Sequence, residues 1–496
     1  MQQLSFFQDT ETYTSLARNS FSHDGVCAEM ARIALDERYA HLLEETDKFN
    51  RQLVSFQANK TEVLHSWMKY REGFSANLVE LLIKELEVES GDVILDPFAG
   101  SATTLLEAKM MGINAVGIEL LPHCHLAWEA KSRAFDYNLD ELRSIRGLIE
   151  QTIPPETDEK FQHLKITETA FSSQMEKDLM AYTYWFETLD VDQNTKLLCK
   201  FLLASLLEEI SYTRKDGQYL RWDSRADKIR KNNKKRIIQG KKPLNGINKG
   251  TLPDIKQVLL ERLNRIIIDI AKLKNDPPLL SHQNLIEGNT LYTLPTVAAN
   301  KFSAVITSPP YANRYDYTRT YALELAYLGV YDEIFNLRQS QLSCTVENKS
   351  KVGKLEAHYQ SIGCHNRYKQ ILDIVESNLA LAEINIALSK RNERGDVNNR
   401  GILTMINQYF TELTFIFAEL YRVCCTGAGV VFVNDNVRYA GEVIPVDTLS
   451  TNLAEQFGFI PHKIYVLPQR KGNSSQQMGK FGREPLRKSI TIWKKP

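Results

Sequence analysis

Asp92-Val93-Ile94-Leu95-Asp96-Pro97-Phe98-Ala99-Gly100-Ser101-Ala102-Thr103-Thr104 decides the fold. The apolar run reads as a buried strand, the small residues as a tight loop, and Leu105, Leu106, Ala108 and Met111 as the helix that follows. An open α/β sheet binds a nucleotide with this succession, at the carboxyl edge of its strands. Gly100, Ser101 and Ala102 let a ligand approach the backbone closely, and the Thr103 and Thr104 hydroxyls can cap the helix. The Gly-x-Gly-x-x-Gly that would hold a pyrophosphate is absent, and Asp96 at the mouth disfavours phosphate while suiting an ammonium. Glu119 closes the next apolar strand, Ala115-Val116-Gly117-Ile118, roughly twenty positions on, where such sheets place a carboxylate on ribose hydroxyls. The expected ligand is a ribonucleoside without phosphate and with positive charge.

A second stretch, Phe302-Ser303-Ala304-Val305-Ile306-Thr307, reads as a strand that delivers Ser308-Pro309-Pro310-Tyr311 into the same kind of cleft. Two successive prolines fix φ and remove two backbone donors, which leaves nearby carbonyls to accept from something other than the fold. The Ser308 hydroxyl and the Pro309 carbonyl offer two acceptors to an NH2 group, and the Tyr311 ring offers a face for a planar base. Taken alone, a proline pair after a strand is an ordinary turn. No Pro in the chain is followed by Cys, so the nucleophile required for methylation at carbon 5 of cytosine is missing.

Together these motifs resemble the S-adenosylmethionine-dependent amino-methyltransferases of DNA, which methylate N4 of cytosine or N6 of adenine. That family's Asp-Pro-Phe-x-Gly-Ser-Gly-Thr-Thr matches Asp96 to Thr104, with Ala102 in place of a Gly, and its (Asp/Asn/Ser)-Pro-Pro-(Tyr/Phe/Trp) matches Ser308 to Tyr311. His65 to Val79 is similar, more loosely, to the helix-leading motif that cradles the methionine end of the cofactor. The resemblance implies a Rossmann-like class I α/β fold, a mostly parallel seven-stranded sheet with a large helical insertion. It implies S-adenosylmethionine as cofactor, contacted by Phe74, Asp96, Phe98, Gly100, Ser101, Thr103, Glu119 and, as an amide partner for adenine, Asn289. Ser308, Pro309, Pro310 and Tyr311 become the catalytic residues, with no metal. The Ser-Pro-Pro-Tyr form points to cytosine N4; N6 of adenine, a base amine of RNA, and a binding module with a vestigial cofactor fold are the alternatives.

Double-stranded DNA is the partner this implies, although composition alone does not suggest it: 61 Lys and Arg balance 61 Asp and Glu. Charge is instead concentrated locally. Between Arg214 and Lys242 twelve Lys or Arg stand against three Asp, interleaved with Tyr219 and Trp222 and opened by Gly240, which reads as a phosphate-tracking arm. Arg214, Lys215, Arg221, Lys234, Lys235 and Arg236 are its candidate contacts. A second basic, glycine-rich loop runs from Arg470 and Lys471 through Gly472 to Gly479, with Arg483 and Arg487 beyond it.

Strands of the catalytic part are expected to end near Gly100, Leu120, Asn289, Thr307, Asn436, Leu467 and Lys494. The gap between the second and third is too long for a simple connection. The chain therefore divides into a helical prefix over residues 1–60, a catalytic part split over 61–140 and 282–496, and an inserted helical, basic recognition element over 141–281. Residues 336–400 form a second, polar excursion that reads as a lid or a further DNA contact. Seven Cys without a Cys-x-x-Cys, and sparse His, support neither a zinc site nor a disulfide framework. No run of eighteen apolar residues and no charged-then-apolar leader is present, so a cytoplasmic protein with no membrane role is expected. No endonuclease cluster accompanies Pro253-Asp254, which leaves any cognate restriction endonuclease to a separate protein.

Overall fold

The computed structural model of the chain describes residues 16–216, 219–467 and 479–496. Its strands in chain order are β1 (Leu43–Glu45), β2 (Val93–Asp96), β3 (Asn114–Glu119), β4 (Thr213–Asp216), β5 (Tyr219–Trp222) and β6 (Gln283–Glu287), then β7 (Phe302–Thr307), β8 (Cys424–Asp435), β9 (Val437–Tyr439), β10 (Glu442–Ile444), β11 (Ile460–Val466) and β12 (Lys488–Lys494). Eight of them build one sheet in the order β1-β11-β12-β8-β7-β2-β3-β6, while β4 with β5 and β9 with β10 form two small ribbons. In the large sheet β12 runs antiparallel to both neighbours, and the other pairings are parallel.

The central strands are apolar throughout because both faces are covered. Successive side chains point to opposite faces: Val430 and Phe432 of β8 join the core under helix Gly401–Val423, and Val431 and Val433 join the core under helices Ala76–Glu85 and Thr103–Met110. From β2 the chain moves outward to β3 and β6, then crosses back to β7 on the other side of β2. The direction of winding thus reverses between β2 and β7, and such a switch point opens a crevice at the carboxyl ends of the strands.

Seven of the eight strands end within a few residues of the positions expected from the sequence. The eighth, β1, lies in the stretch read as a helical prefix, and it pairs in parallel with β11 through only three residues, too few for a periodic signal. Residues 336–400 also differ from a polar lid. Their helices Val352–Ser361, His365–Ser377 and Leu379–Glu393 bury Leu355, Tyr359, Ile371 and Ile384 in the same core as β8. Between β3 and β6, helices Leu139–Gln151, Ser173–Thr188, Gln193–Ile210 and Ile255–Asn275 share an apolar cluster with Trp67, whose indole N–H donates to Asp269 at 2.8 Å. Among the described residues no helix is long and apolar enough to cross a membrane.

Buried ion pairs tie the first described segment to the last. Arg487 at the start of β12 donates to Asp447 at 2.8 Å and to Asp36 at 2.9 Å, and Ser489 adds a hydroxyl to Asp447 at 2.8 Å. Burial opposes ionisation of Asp447, but the guanidinium more than offsets it and holds the carboxyl below its ordinary range. Arg487 is therefore an internal counter-ion, not part of a basic surface loop. Replacing it by Met leaves two buried carboxylates without their cation, and Arg487→Met is expected to destabilise the protein by about 3–5 kcal/mol, read as a lower urea midpoint than wild type.

Candidate active site

At the switch point the two motifs meet. Asp96 ends β2, Thr307 ends the paired β7, and the Thr307 hydroxyl donates to Asp96 Oδ1 at 2.9 Å. The same carboxylate accepts from Phe98 N at 3.1 Å and from the Thr104 hydroxyl at 2.7 Å. Thr104 thus serves Asp96 and does not cap its helix. The cap position falls to Ala102, at φ +64° and without a side-chain cap, which explains why a Gly suits that place in the motif.

Glu119 at the end of β3 lies beside this loop. Its Oε1 accepts from Leu120 N at 2.9 Å and Leu121 N at 2.8 Å, and its Oε2 from Gly100 N at 2.7 Å. Gly100 is a requirement, because its φ is +52° and a Cβ there would meet the Tyr70 ring at 2.9 Å. Both carboxyls are buried, which raises their pKa values, that of Asp96 to about 6.

These groups open onto a pocket at the carboxyl edge of the sheet. All eight residues expected at the cofactor line it, namely Phe74, Asp96, Phe98, Gly100, Ser101, Thr103, Glu119 and Asn289, and Ser308 and Pro310 line it too. Pro309, between them, is buried. Tyr311 flanks the pocket, its hydroxyl 3.2 Å from Ser308 Oγ and 3.3 Å from Lys488 Nζ, with Lys488 lying 4.9 Å over its ring. Asn289 spends its amide on structure: it caps Leu291 N at 3.0 Å and donates to the Ser340 carbonyl at 2.6 Å.

Among the lining residues not singled out from the sequence are Tyr70, Glu72, Tyr317 and Gln341. Tyr70 and Glu72 sit in the loosely matching His65 to Val79 segment, which was the available signal; Tyr317 and Gln341 had none. Glu72 accepts from the hydroxyls of Tyr315 and Tyr321, and burial raises its pKa. The lining holds three carboxylates, Glu72, Asp96 and Glu119, and no Lys, Arg or His among the described residues.

Of the arm residues, Arg214, Arg221, Lys234 and Lys235 are exposed and Arg236 is half-buried. Arg221 pairs with Asp216 at 2.8 Å, and Arg236 donates to the Lys242 carbonyl at 2.8 Å. Lys215 corrects the expectation: it is 3% exposed, ion-paired with Glu324 and 4.4 Å over the Tyr321 ring, so it cannot reach a phosphate backbone. On a two-residue period it points inward where Arg214 points out. Arg470 and Lys471, with the loop they open, lie outside the described residues.

An acidic pocket and a Pro-Pro-aromatic hook on adjoining strand ends, in a mostly parallel α/β sheet, are the arrangement of an amino-methyltransferase. A family model described as DNA methylase, of the N6/N4 methyltransferases, matches residues 33–129. The chain is 56% identical over 479 residues to the type II methyltransferase M.BsoBI of Geobacillus stearothermophilus, covering 96% of this chain and 94% of that protein. It is 40% identical over 485 residues to the type II methyltransferase M.AvaI of Nostoc sp. (strain PCC 7120), covering 95% of each. The chain belongs to the N6/N4 DNA methyltransferase family.

The buried Asp96 carboxyl has a measurable consequence. Its folded-state pKa of about 6 lies above its unfolded value, so it contributes stability at low pH that is lost as the pH rises through about 6. Asp96→Asn keeps the shape without the charge. Without ligand, the variant is expected to match wild-type stability near pH 4 and to exceed it by roughly 3 kcal/mol at pH 8, followed by denaturant unfolding across that range.

Proposed function

We propose that this chain transfers the methyl group of S-adenosylmethionine to N4 of a cytosine swung out of duplex DNA at a specific site. The observation that carries the reading is the Thr307–Asp96 hydrogen bond across paired strands, which sets the amine hook beside the acidic pocket. The pocket fits the cofactor by its donor set. Carboxylates without a facing cation suit a sulfonium nucleoside and would repel a phosphate, and Glu119 Oε2, with one backbone donor, keeps acceptor capacity for a ribose hydroxyl. When bound, the cofactor supplies an electrophilic methyl on a good leaving group, so no covalent enzyme intermediate is needed.

The chain's own contribution is orientation and dipole. Ser308 Oγ lies 3.2 Å from the Val433 carbonyl. With its proton given to that carbonyl, its lone pairs are left for the hydrogens of an amine, which become more acidic as the nitrogen lone pair localises and charge builds. The Pro309 carbonyl is the second acceptor and Tyr311 the stacking surface in this reading. Pro309 and Pro310 keep the turn from relaxing away. Cytosine is favoured by the Ser at 308, as the sequence motif implies.

A base in a duplex is inside the stack, and extruding it costs a few kcal/mol that backbone contacts offset. The exposed cations of the arm, Arg214, Arg221, Lys234 and Lys235 with Arg236, are the proposed phosphate contacts, and Arg470 and Lys471 belong to the same proposal. The relatives' type II designation supports pairing with a separate restriction endonuclease.

Ser308→Ala is expected to lower labelled methyl transfer to duplex DNA by about 10²-fold or more while cofactor binding by calorimetry is retained. Mass spectrometry of the wild-type product decides the base, since N6-methyladenine in place of N4-methylcytosine refutes the cytosine assignment. Changing Lys234, Lys235 and Arg236 together to Gln is expected to reduce the slope of log affinity against log salt by roughly 2 to 3, uniformly across DNA sequences.

A further inference from the structure

Gln341 is the one pocket-lining carboxamide with nothing to bind among the described residues. It is 6% exposed, and neither its Nε2 nor its Oε1 has a hydrogen-bond partner. Buried amides are nearly always paired, and one left open at a binding pocket marks a place for a ligand's complementary edge. Its neighbours hold it still. Gln341 follows helix Ile334–Ser340 in extended conformation, Asn289 grips the preceding Ser340 carbonyl, and Leu342 packs into the main core. One residue further, Ser343 N donates to Glu412 at 2.8 Å, a carboxylate itself paired with Lys351 at 2.9 Å.

Its position along the sheet narrows the ligand. Glu119 ends β3 and Asn289 follows β6, the adjoining strand on the side away from Ser308. A nucleoside whose ribose meets Glu119 has its base toward the β6 end, where Gln341 waits, while the target amine belongs at the β7 end. A carboxamide offers one acceptor and one donor side by side, the complement of adenine's 6-amino group and its adjacent ring nitrogen.

We propose that Gln341 reads the adenine edge of the cofactor, and that Asn289 acts one step removed, by holding the segment that carries Gln341. This rests on the reading of the pocket as an S-adenosylmethionine site. Two interactions missed by the sequence are thereby explained together: the open amide of Gln341 and the occupied amide of Asn289.

The test is equilibrium binding of the full chain to S-adenosylhomocysteine and to its analogue with purine in place of adenine, which lacks only the 6-amino group. Wild type is expected to prefer the amino form by about tenfold, in line with one buried hydrogen-bonded pair. Gln341→Leu is expected to lose the preference for the amino form and to bind both ligands more weakly than wild type binds the purine analogue, and Gln341→Met to behave the same. Equal wild-type affinity for the two ligands, or a preference that survives in a folded Gln341 variant, overturns the assignment while leaving the cofactor reading intact. Failure of wild type to bind S-adenosylhomocysteine at all overturns the cofactor reading and the assignment with it.

Discussion

Parallel pairing of β2 with β7 is the constraint on which the site depends. The acidic motif and the Ser-Pro-Pro-Tyr motif are some two hundred residues apart, and neither has a function without the other within reach. Register places Leu95 opposite Val305, so that Asp96 and Thr307 both emerge at the carboxyl edge and share a hydrogen bond. A slip of one residue would turn Asp96 to the opposite face and break that bond. Because β2 and β7 are buried on both faces by apolar side chains, such a slip would also expose or misplace Ile94, Leu95, Val305 and Ile306, and the core resists it. The stability of the sheet and the geometry of the site are one requirement.

Burial has a second effect in the crevice. Asp96, Glu119 and Glu72 are each surrounded by donors that favour the charged form, yet desolvation outweighs them and all three are raised. Burial therefore makes negative charge in the crevice unfavourable. A positively charged ligand would relieve it, and the pocket is matched to such a ligand by electrostatics before any shape is considered.

Much of this was legible in the sequence because it is local. Val93 to Asp96 and Phe302 to Thr307 are continuous apolar runs punctuated by Gly, Ser and Pro, and their strand ends follow directly. The proposed cofactor residues around Asp96 and Glu119 follow from one strand-loop-helix-strand unit. What escaped is made by contacts far apart in the chain. Tyr315 and Tyr321 reach Glu72 across more than two hundred residues, Gln341 comes to the pocket on a segment whose own sequence is unremarkable, and β1 is too short to have a pattern. Composition also misled where it counted charges without facing: Lys215 and Arg487 sat in basic stretches and turned out to be internal counter-ions.

Lys215 also shows how the basic excursion is held. On the way out, its ammonium is buried against Glu324 and over Tyr321, whose hydroxyl meets Glu72 in the pocket wall. On the way back, Lys249 donates to the carbonyls of Glu208 at 2.5 Å in the last turn of helix Gln193–Ile210, and of Ser211 at 2.7 Å and Thr213 at 2.9 Å beyond it, where unpaired carbonyls attract a cation. Burial lowers the pKa of this lysine to about 8, but the carbonyls and the nearby carboxylates compensate its charge. A buried and a half-buried lysine thus close the excursion at its root, while Arg221 on β5 and Arg230, Lys231, Lys234 and Lys235 on helix Asp227–Ile238 are exposed. Withdrawing Lys215 would leave Glu324 buried without its cation, so the root is fixed to the same wall that lines the pocket.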